Sequence, residues 1–191
     1  MPTVVALATP LTRSQKIRLL RIAREAIFKY INRGKVPNIE EDDPRLLEVQ
    51  GVFVSLHIGD RLRGCIGNFV GEGPLFKTVV DIAVGAAAHD PRFAPMRMDE
   101  VPRTEIELSI LGPLQLVSAE EVVVGEHGLL ISVGRNRGTL LPQVATQYDW
   151  SREEFLSQTC QKAGLDRDAW RSTDARIEVF TAEVFAESDM R

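Results

Sequence analysis

The segment GVFVSLHIGDRLRGCIG, residues 51–67 of this 191-residue chain, decides the fold. Residues 52–58 and 61–67 are strand-like. Gly59 and Asp60 lie between them and suit a tight two-residue turn. The segment therefore predicts a β-hairpin.

The two-residue turn predicts which residues of the hairpin face each other. Cys65 is expected opposite Val54, and Arg63 is expected opposite Leu56. Because side chains alternate along a strand, Arg63 and Cys65 should share one face, with His57 on the other. The hairpin would then present a guanidinium and a thiol side by side.

The pair formed by Arg63 and Cys65 is the main candidate for chemistry. A guanidinium beside a thiol favours the thiolate, which is the form that acts as a nucleophile or a metal ligand. Gly64 and Gly67 flank the cysteine, and glycine within a strand often marks a bulge or the close approach of another group. Cysteine is also among the residue types most often buried, so the pattern equally allows Cys65 to be a small core residue.

Three segments outside the hairpin have the apolar periodicity of helices. The first begins after a capping box formed by Thr12 and Gln15 and stops at Gly34. The three segments are residues 13–32, 74–89 and 152–163. The side chains expected to be nearly fully buried in the core are Leu20, Ile27, Val79, Ile82, Leu108 and Phe155, and Cys160 is also expected there.

Further strands are predicted downstream of the hairpin. Residues 105–111 alternate apolar and polar side chains, as a half-buried strand does. Residues 129–133 and 139–141 flank a four-residue turn at 135–138, and ARIEVFTAEVFAE (175–187) is expected to be one last strand. Because helices and strands do not alternate regularly, the prediction is an α+β fold. The domain is predicted to be one compact unit with a mainly antiparallel sheet flanked by helices.

The composition restricts the class of protein. Hydrophobic residues make up 44% and charged residues 26%, which is ordinary globular usage. A net charge of −4 provides no global positive field, which makes nucleic acid an unlikely partner. Two cysteines do not form a disulfide framework and suit a reducing compartment. Without a signal-peptide pattern or an apolar run of about 20 residues, the chain is expected to be cytoplasmic, with no membrane partner.

Three more residues are candidates for function, each with a structural alternative. His127 is expected to be an exposed imidazole that titrates near neutral pH, or else a solvated or merely capping loop histidine. Arg92 either clamps an anionic group or pairs internally with Asp90. Gln143 follows Pro142 at a helix start and either receives an anion or caps the helix. No zinc-ligand cluster occurs, so no metal site is predicted. The chain also has no Walker loop and no dinucleotide-binding fingerprint.

Several ordered motifs resemble those of the AMMECR-one domain family. The chief ones are LRGCIG at 62–67, DPRF at 90–93, IELSIL at 106–111, HGL at 127–129 and LPQVA at 141–145. With the neighbouring GVFVSL and DW they cover roughly residues 12–185. The chain is similar in this way to the A component of the AmmeMemoRadiSam system. The predicted domain spans residues 12–187, with residues 1–11 as an N-terminal extension.

The resemblance implies a larger and a smaller lobe with the LRGCIG hairpin near a cleft between them. It also implies a pathway shared with Memo-like and radical-SAM proteins, and it names no reaction, cofactor or oligomeric state. The residues expected to bind a small molecule or peptide in this cleft are Arg63, Gly64, Ile66, Gly67, Asp90, Arg92, Phe93, Gly128, Pro142 and Gln143.

Two functions remain open from the sequence. In the first, the domain handles a small molecule or a modified residue, and it could be a cysteine-dependent enzyme. Cys65 would then be the nucleophile, Arg63 and Arg92 the anion clamps, and His127 the acid–base group. In the second, the domain is a non-catalytic interaction module in which Cys65 packs in the core. A nucleic-acid-associated regulatory role is a weaker third possibility, because the acidic charge disfavours it.

Overall fold

The structure is a computed structural model that describes residues 9–191, so most of the predicted N-terminal extension, residues 1–8, lies outside the described residues. The described chain divides into two compact units. The first unit contains residues 9–111 and 183–191, and the second unit contains residues 112–182. The predicted domain boundaries and the predicted cleft remain predictions.

Residues 9–191 form four α-helices and eight strands. In chain order they are α1 (Arg13–Arg33), β1 (Val52–Ile58), β2 (Arg61–Asn68), α2 (Leu75–Ala88), β3 (Glu105–Leu111), β4 (Gln115–Leu116), β5 (Gly128–Val133), β6 (Asn136–Leu140), α3 (Pro142–Gln147), α4 (Arg152–Lys162), β7 (Arg176–Phe180) and β8 (Ala182–Ala186). The predicted α+β class is confirmed. The strands form two antiparallel sheets, whereas one main sheet was expected.

The capping signals of α1 are confirmed. The Thr12 hydroxyl accepts from the Gln15 amide, while the Gln15 side chain accepts from the Thr12 amide. Gly34 ends the helix in the left-handed conformation with φ of 66°. Leu20 and Ile27 of α1 are buried in the core of the first unit.

The sheet of the first unit has the strand order β2-β1-β3-β8. This order makes β2, which carries the LRGCIG motif, an edge strand. Helix α2 packs against β1 and β2, and the approach is very close at Gly64. A Cβ atom on Gly64 would lie 2.2 Å from the carbonyl oxygen of Ala86. Glycine at this position is therefore required for the packing of α2 on the sheet.

The hairpin turn at Gly59-Asp60 is confirmed, and the expected register is wrong. Ile58 pairs with Arg61 across the turn, and Gly59 has a φ of 58°. A β-bulge follows, because His57 pairs with Leu62 whereas the next residue of β1, Leu56, pairs with Gly64. The extra residue is Arg63.

The bulge moves every pair beyond it by one position. Cys65 therefore lies opposite Ser55, where Val54 was expected, and Leu56 lies opposite Gly64, where Arg63 was expected. Since directly opposite residues share a face, Cys65 lies on the face of Ser55 and His57. The expectation that His57 faces away from Cys65 is wrong for the same reason.

The second unit contains a sheet of order β4-β7-β5-β6. The turn between β5 and β6 is formed by two residues, Gly134 and Arg135, because Val133 pairs with Asn136. The predicted four-residue turn is wrong. The predicted last strand is also two strands, β7 and β8, which separate at Thr181 and join different sheets.

Both units have their own hydrophobic core, and the core residues expected from the sequence are confirmed. The side chains that are nearly fully buried include Leu20, Ile27, Val79, Ile82, Leu108, Phe155 and Cys160.

Among residues 9–191, no helix combines the length and the apolar character needed to cross a membrane.

Candidate functional site

The backbone of Cys65 is held at the sheet edge by two side chains of the DPRF motif. The Cys65 amide donates to Asp90 Oδ2 at 2.8 Å, and Arg92 Nη2 donates to the Cys65 carbonyl oxygen at 2.9 Å. Asp90 and Arg92 are joined by an ion pair of 2.7 Å. We call this arrangement the edge clamp. It satisfies the outward-facing amide and carbonyl of Cys65, and such groups on an edge strand otherwise attract another strand.

The Asp90 carboxylate is the centre of the edge clamp. It is buried, at 4% exposed, and it also accepts from the Arg92 amide at 3.1 Å. The Arg92 guanidinium and the two backbone amides hold the pKa of Asp90 far below its usual range, against the opposing effect of burial. Arg92 is thus committed to an internal pair, which is the structural alternative for this residue.

Arg63 is also committed to an internal partner. Its Nε and Nη2 donate to the two carboxylate oxygens of Glu100 at 2.7 and 3.0 Å, and Nη2 also donates to the Ala94 carbonyl oxygen. This pairing lowers the pKa of Glu100 to about 2. Since Glu100 neutralises the guanidinium, the electrostatic reason for expecting Arg63 to favour a Cys65 thiolate is largely removed.

The Cys65 thiol has a different polar partner. The Ser55 hydroxyl donates to Cys65 Sγ at 3.3 Å. Because the amide and carbonyl of Cys65 point outward to the edge clamp, Cys65 and Ser55 form a non-hydrogen-bonded pair, in which opposite side chains approach most closely. Cys65 as a whole is half-buried.

The face that carries Cys65 contains several groups able to move protons. Ser55 pairs with Cys65 on one side and with Glu107 on the other, so the three form one row across β2, β1 and β3. In the neighbouring row His57 pairs with Glu105. We call these five residues the polar face.

Glu107 is the unusual acid of the polar face. Burial raises the pKa of this carboxyl above its usual value. The nearby His57 acts in the opposite direction, and the like charges of Asp189 and Glu105 raise the pKa further. A carboxyl group with a raised pKa is a stronger proton acceptor than an ordinary glutamate, and such groups are common at functional sites.

In the second unit, His127 is buried, and the expectation of an exposed imidazole is wrong. Its Nδ1 accepts a hydrogen bond from the Val123 amide at 3.1 Å, which caps the turn before β5. Burial lowers the pKa of His127, so the ring is neutral near pH 7. The capping alternative accounts for these contacts.

The other expected site residues of the second unit have clear structural surroundings. A Cβ atom on Gly128 would lie 2.3 Å from the Phe180 ring, so glycine is needed for that contact. Pro142 is buried at the first turn of α3. The Oε1 atom of Gln143 is buried and has no hydrogen-bond partner among the described residues. A cleft that joins these residues to Cys65 remains a prediction.

The remaining expected residues surround the hairpin in the first unit. Ile66 packs against the hydrophobic core, and the Phe53 ring occupies the place where a side chain on Gly67 would lie. The guanidinium carbons of Arg63 and Arg92 lie 6.0 and 5.5 Å from the centre of the Phe93 ring.

Within residues 9–191, no group of three His, Cys, Asp or Glu side chains is placed to hold a metal ion.

Sequence reasoning missed Ser55, Glu107 and Glu100. Ser55 and Glu107 occupy polar positions of alternating strands, a pattern that normally indicates a solvent-exposed face. Their position in one row with Cys65 depends on strand order and on the bulge, which local patterns do not give. Glu100 lies 37 residues beyond Arg63, and no short motif links the two.

Residues 20–185 match the family model AMMECR1. The chain is 40% identical over 181 residues to protein PF1979 of Pyrococcus furiosus, covering 88% of this chain and 86% of that one. It is 43% identical over 183 residues to protein MK0488 of Methanopyrus kandleri, covering 90% and 87%. The crystal structure of the uncharacterized protein PH0010 from Pyrococcus horikoshii superposes with a TM-score of 0.83 at 40% identity, covering 89% of this chain and 90% of that one.

Proposed function

The chain belongs to the AMMECR1 family, and from this premise we propose that it is a thiol-dependent enzyme with Cys65 as its nucleophile. The substrate class is a small molecule or a modified residue that carries an electrophilic carbon. The family resemblance supports a pathway shared with Memo-like and radical-SAM proteins.

The contact between the Ser55 hydroxyl and Cys65 Sγ carries the proposal. A hydroxyl that donates to sulfur stabilises the charge of a thiolate. The edge clamp fixes the backbone of the same residue, so the sulfur has a defined position on the sheet. Of these contacts, the Ser55 hydrogen bond is the one that acts on the sulfur itself, while the edge clamp acts on the backbone.

The proposed step is a substitution at carbon. Cys65 Sγ attacks the electrophilic carbon, an S–C bond forms, and the bond from that carbon to its leaving group breaks. The leaving group departs with the electron pair, and the thiol proton passes to an acceptor on the protein. The second nucleophile, which would release the product, comes from solvent or from a second substrate.

The chain offers an internal control for this proposal, because its two cysteines differ in environment. We expect iodoacetamide to alkylate Cys65 at least about tenfold faster than Cys160 at about pH 7. Cys160 is fully buried, and burial raises the pKa of its thiol, so it should be inert in the folded protein. Mass spectrometry of the wild type, Cys65→Ser and Cys160→Ser would measure the two rates. If Cys65 and Cys160 react at the same slow rate, Cys65 is not the nucleophile.

A second candidate function, a protein-interaction module, is favoured by an apolar groove in the first unit. The groove has a volume of about 500 Å³ and includes Ile17, Phe28, Val101 and Met190 among its lining residues. Phe28 is 45% exposed although it is large and apolar. Exposed apolar grooves of this kind commonly receive an apolar segment of a partner.

The groove can be tested with a dye that binds exposed apolar surface. We expect Phe28→Asp to reduce the fluorescence of bound anilinonaphthalene sulfonate by roughly 3-fold or more, while the thermal stability stays nearly unchanged. Val36→Asp is the matched control, because Val36 is 50% exposed and is not among the residues that line the groove. Equal losses from both variants would mean that the groove is not a distinct binding surface.

A further inference from the structure

We propose that Glu107 is the acceptor of the Cys65 thiol proton and that the Ser55 hydroxyl relays it. This inference rests on the proposed function of Cys65. It assigns the acid–base role to the first sheet, whereas the sequence suggested His127.

The relay follows from the pairing of three adjacent strands. Ser55 lies directly opposite Cys65 on β2 and directly opposite Glu107 on β3, so the three side chains leave the same face in one row. Opposite residues of an antiparallel pair have Cβ atoms about 4.5–5.5 Å apart, a span that the longer glutamate side chain can bridge. The Ser55 hydroxyl already contacts the sulfur at 3.3 Å, which makes it the natural intermediate.

The surroundings of Glu107 suit a proton acceptor. The charged and titratable groups that act on it are His57 on β1, Glu105 on its own strand and Asp189 in the turn after β8. Burial and the two acids favour its protonated form, and His57 favours the carboxylate. The raised pKa of Glu107 therefore makes uptake of a proton from the thiol easier than for an exposed glutamate.

The proposed transfer conserves every proton. The Ser55 hydroxyl, which donates to Cys65 Sγ in the resting arrangement, first turns towards Glu107 and accepts the hydrogen bond of the thiol. The Cys65 S–H then donates its proton to the Ser55 oxygen, while the original Ser55 proton moves to a carboxylate oxygen of Glu107. The products are a thiolate, a serine hydroxyl that donates to it, and a neutral Glu107 carboxyl. In the test reaction with iodoacetamide, the S–C bond then forms, the C–I bond breaks, iodide leaves, and the proton remains on Glu107.

The test is the pH profile of Cys65 alkylation in Glu107→Gln. We expect the rate at about pH 7 to fall about 10- to 100-fold, and to approach the wild-type rate at about pH 9.5, where solvent removes the proton directly. A carboxylate that acted as a charged neighbour alone would give the opposite sign, since its removal would favour the thiolate and raise the rate. The direction of the change therefore separates a relay from simple electrostatics.

Two further variants sharpen the test. Ser55→Ala should also lower the rate at about pH 7, and the double variant should be no slower than the slower single variant, because both remove the same path. Glu178→Gln is the matched control, since Glu178 is a partly buried strand carboxylate of β7 in the sheet of the second unit and its removal should leave the rate unchanged. Thermal unfolding would check that each variant is folded.

The outcomes distinguish this inference from the proposed function. A Glu107→Gln rate equal to or above wild type at pH about 7, with Cys65 still faster than Cys160, would overturn the relay and leave the thiol function standing. If Cys65 is no faster than Cys160 in the wild type, both proposals fail together.

Discussion

Asp90→Ala is expected to lower the free energy of unfolding by about 2–4 kcal/mol, because it removes the centre of the edge clamp. The change leaves the amides of Cys65 and Arg92 without their acceptor and removes the partner of the Arg92 guanidinium. A larger loss of stability, in the upper part of the range usual for broken buried ion pairs, is not expected, because the Arg92 side chain is 55% exposed and water screens it. Chemical denaturation of both proteins would measure the difference.

Asp99→Ala is a matched control for this prediction. Asp99 also pairs with an arginine two residues away, Arg97, but their side chains are 59% and 78% exposed. Its removal should cost less than about 0.5 kcal/mol. Comparable losses in Asp90→Ala and Asp99→Ala would mean that burial and the bonds to the β2 backbone contribute nothing.

The Asp90 carboxylate also makes the stability of the protein depend on pH. The pKa of Asp90 is lower in the folded chain than in the unfolded chain, so its contribution to stability is present above the usual Asp pKa of about 4. It is lost as the pH falls below that value. The stability gap between wild type and Asp90→Asn should therefore shrink between about pH 5 and pH 2, and a constant gap would contradict the role given to this charge.

Gly64→Ala is expected to destabilise the protein by about 3 kcal/mol, at the upper end of the usual cost of overpacking. The added Cβ would lie 2.2 Å from the Ala86 carbonyl oxygen, which belongs to the backbone of α2 and has no rotamer through which to escape. Either α2 or β2 must move, and β2 carries Cys65. Denaturant midpoints and the alkylation rate of Cys65 would report both consequences.

Gly73→Ala is the control for the glycine substitution. A Cβ atom on Gly73 would have no neighbour within 4 Å, and the residue does not have a left-handed φ. Its replacement should leave stability unchanged or raise it by up to about 1 kcal/mol, since alanine restricts the unfolded chain. A similar loss at both positions would show that the contact with α2 is not the cause.

The elements that local sequence governs were predictable. The capping box at Thr12 and Gln15 and the turn at Gly59-Asp60 depend on residues within one turn of each other, and both are confirmed. The burial of Leu108 likewise follows from strict alternation in one strand. Such features need no knowledge of the rest of the chain.

The candidate site was less predictable because it depends on a single extra residue. The bulge at Arg63 shifts Cys65 by one pair, and with a side-chain period of two this moves it to the face of His57 and Ser55. Gly64 was a hint of an irregular strand, but it did not give the direction of the shift. The partner Glu107 comes from a third strand, so its place required the strand order.

The chain after Thr181 shows a similar limit. Residues on both sides of it alternate like one continuous strand, yet β7 and β8 belong to different sheets. Alternation reports that a segment is extended, and it carries no information about which neighbour the segment pairs with. The sheet exchange was therefore outside the reach of local patterns.

The position of β8 also has a consequence for synthesis on the ribosome. Residues 112–182 form a compact unit that is continuous in sequence, whereas the sheet that begins with β1 requires β8, which is translated after that unit. Until β8 emerges, the outer edge of β3 is left without its neighbouring strand, a state that invites pairing with other nascent chains. The part of the protein that is made first is the part that is completed last.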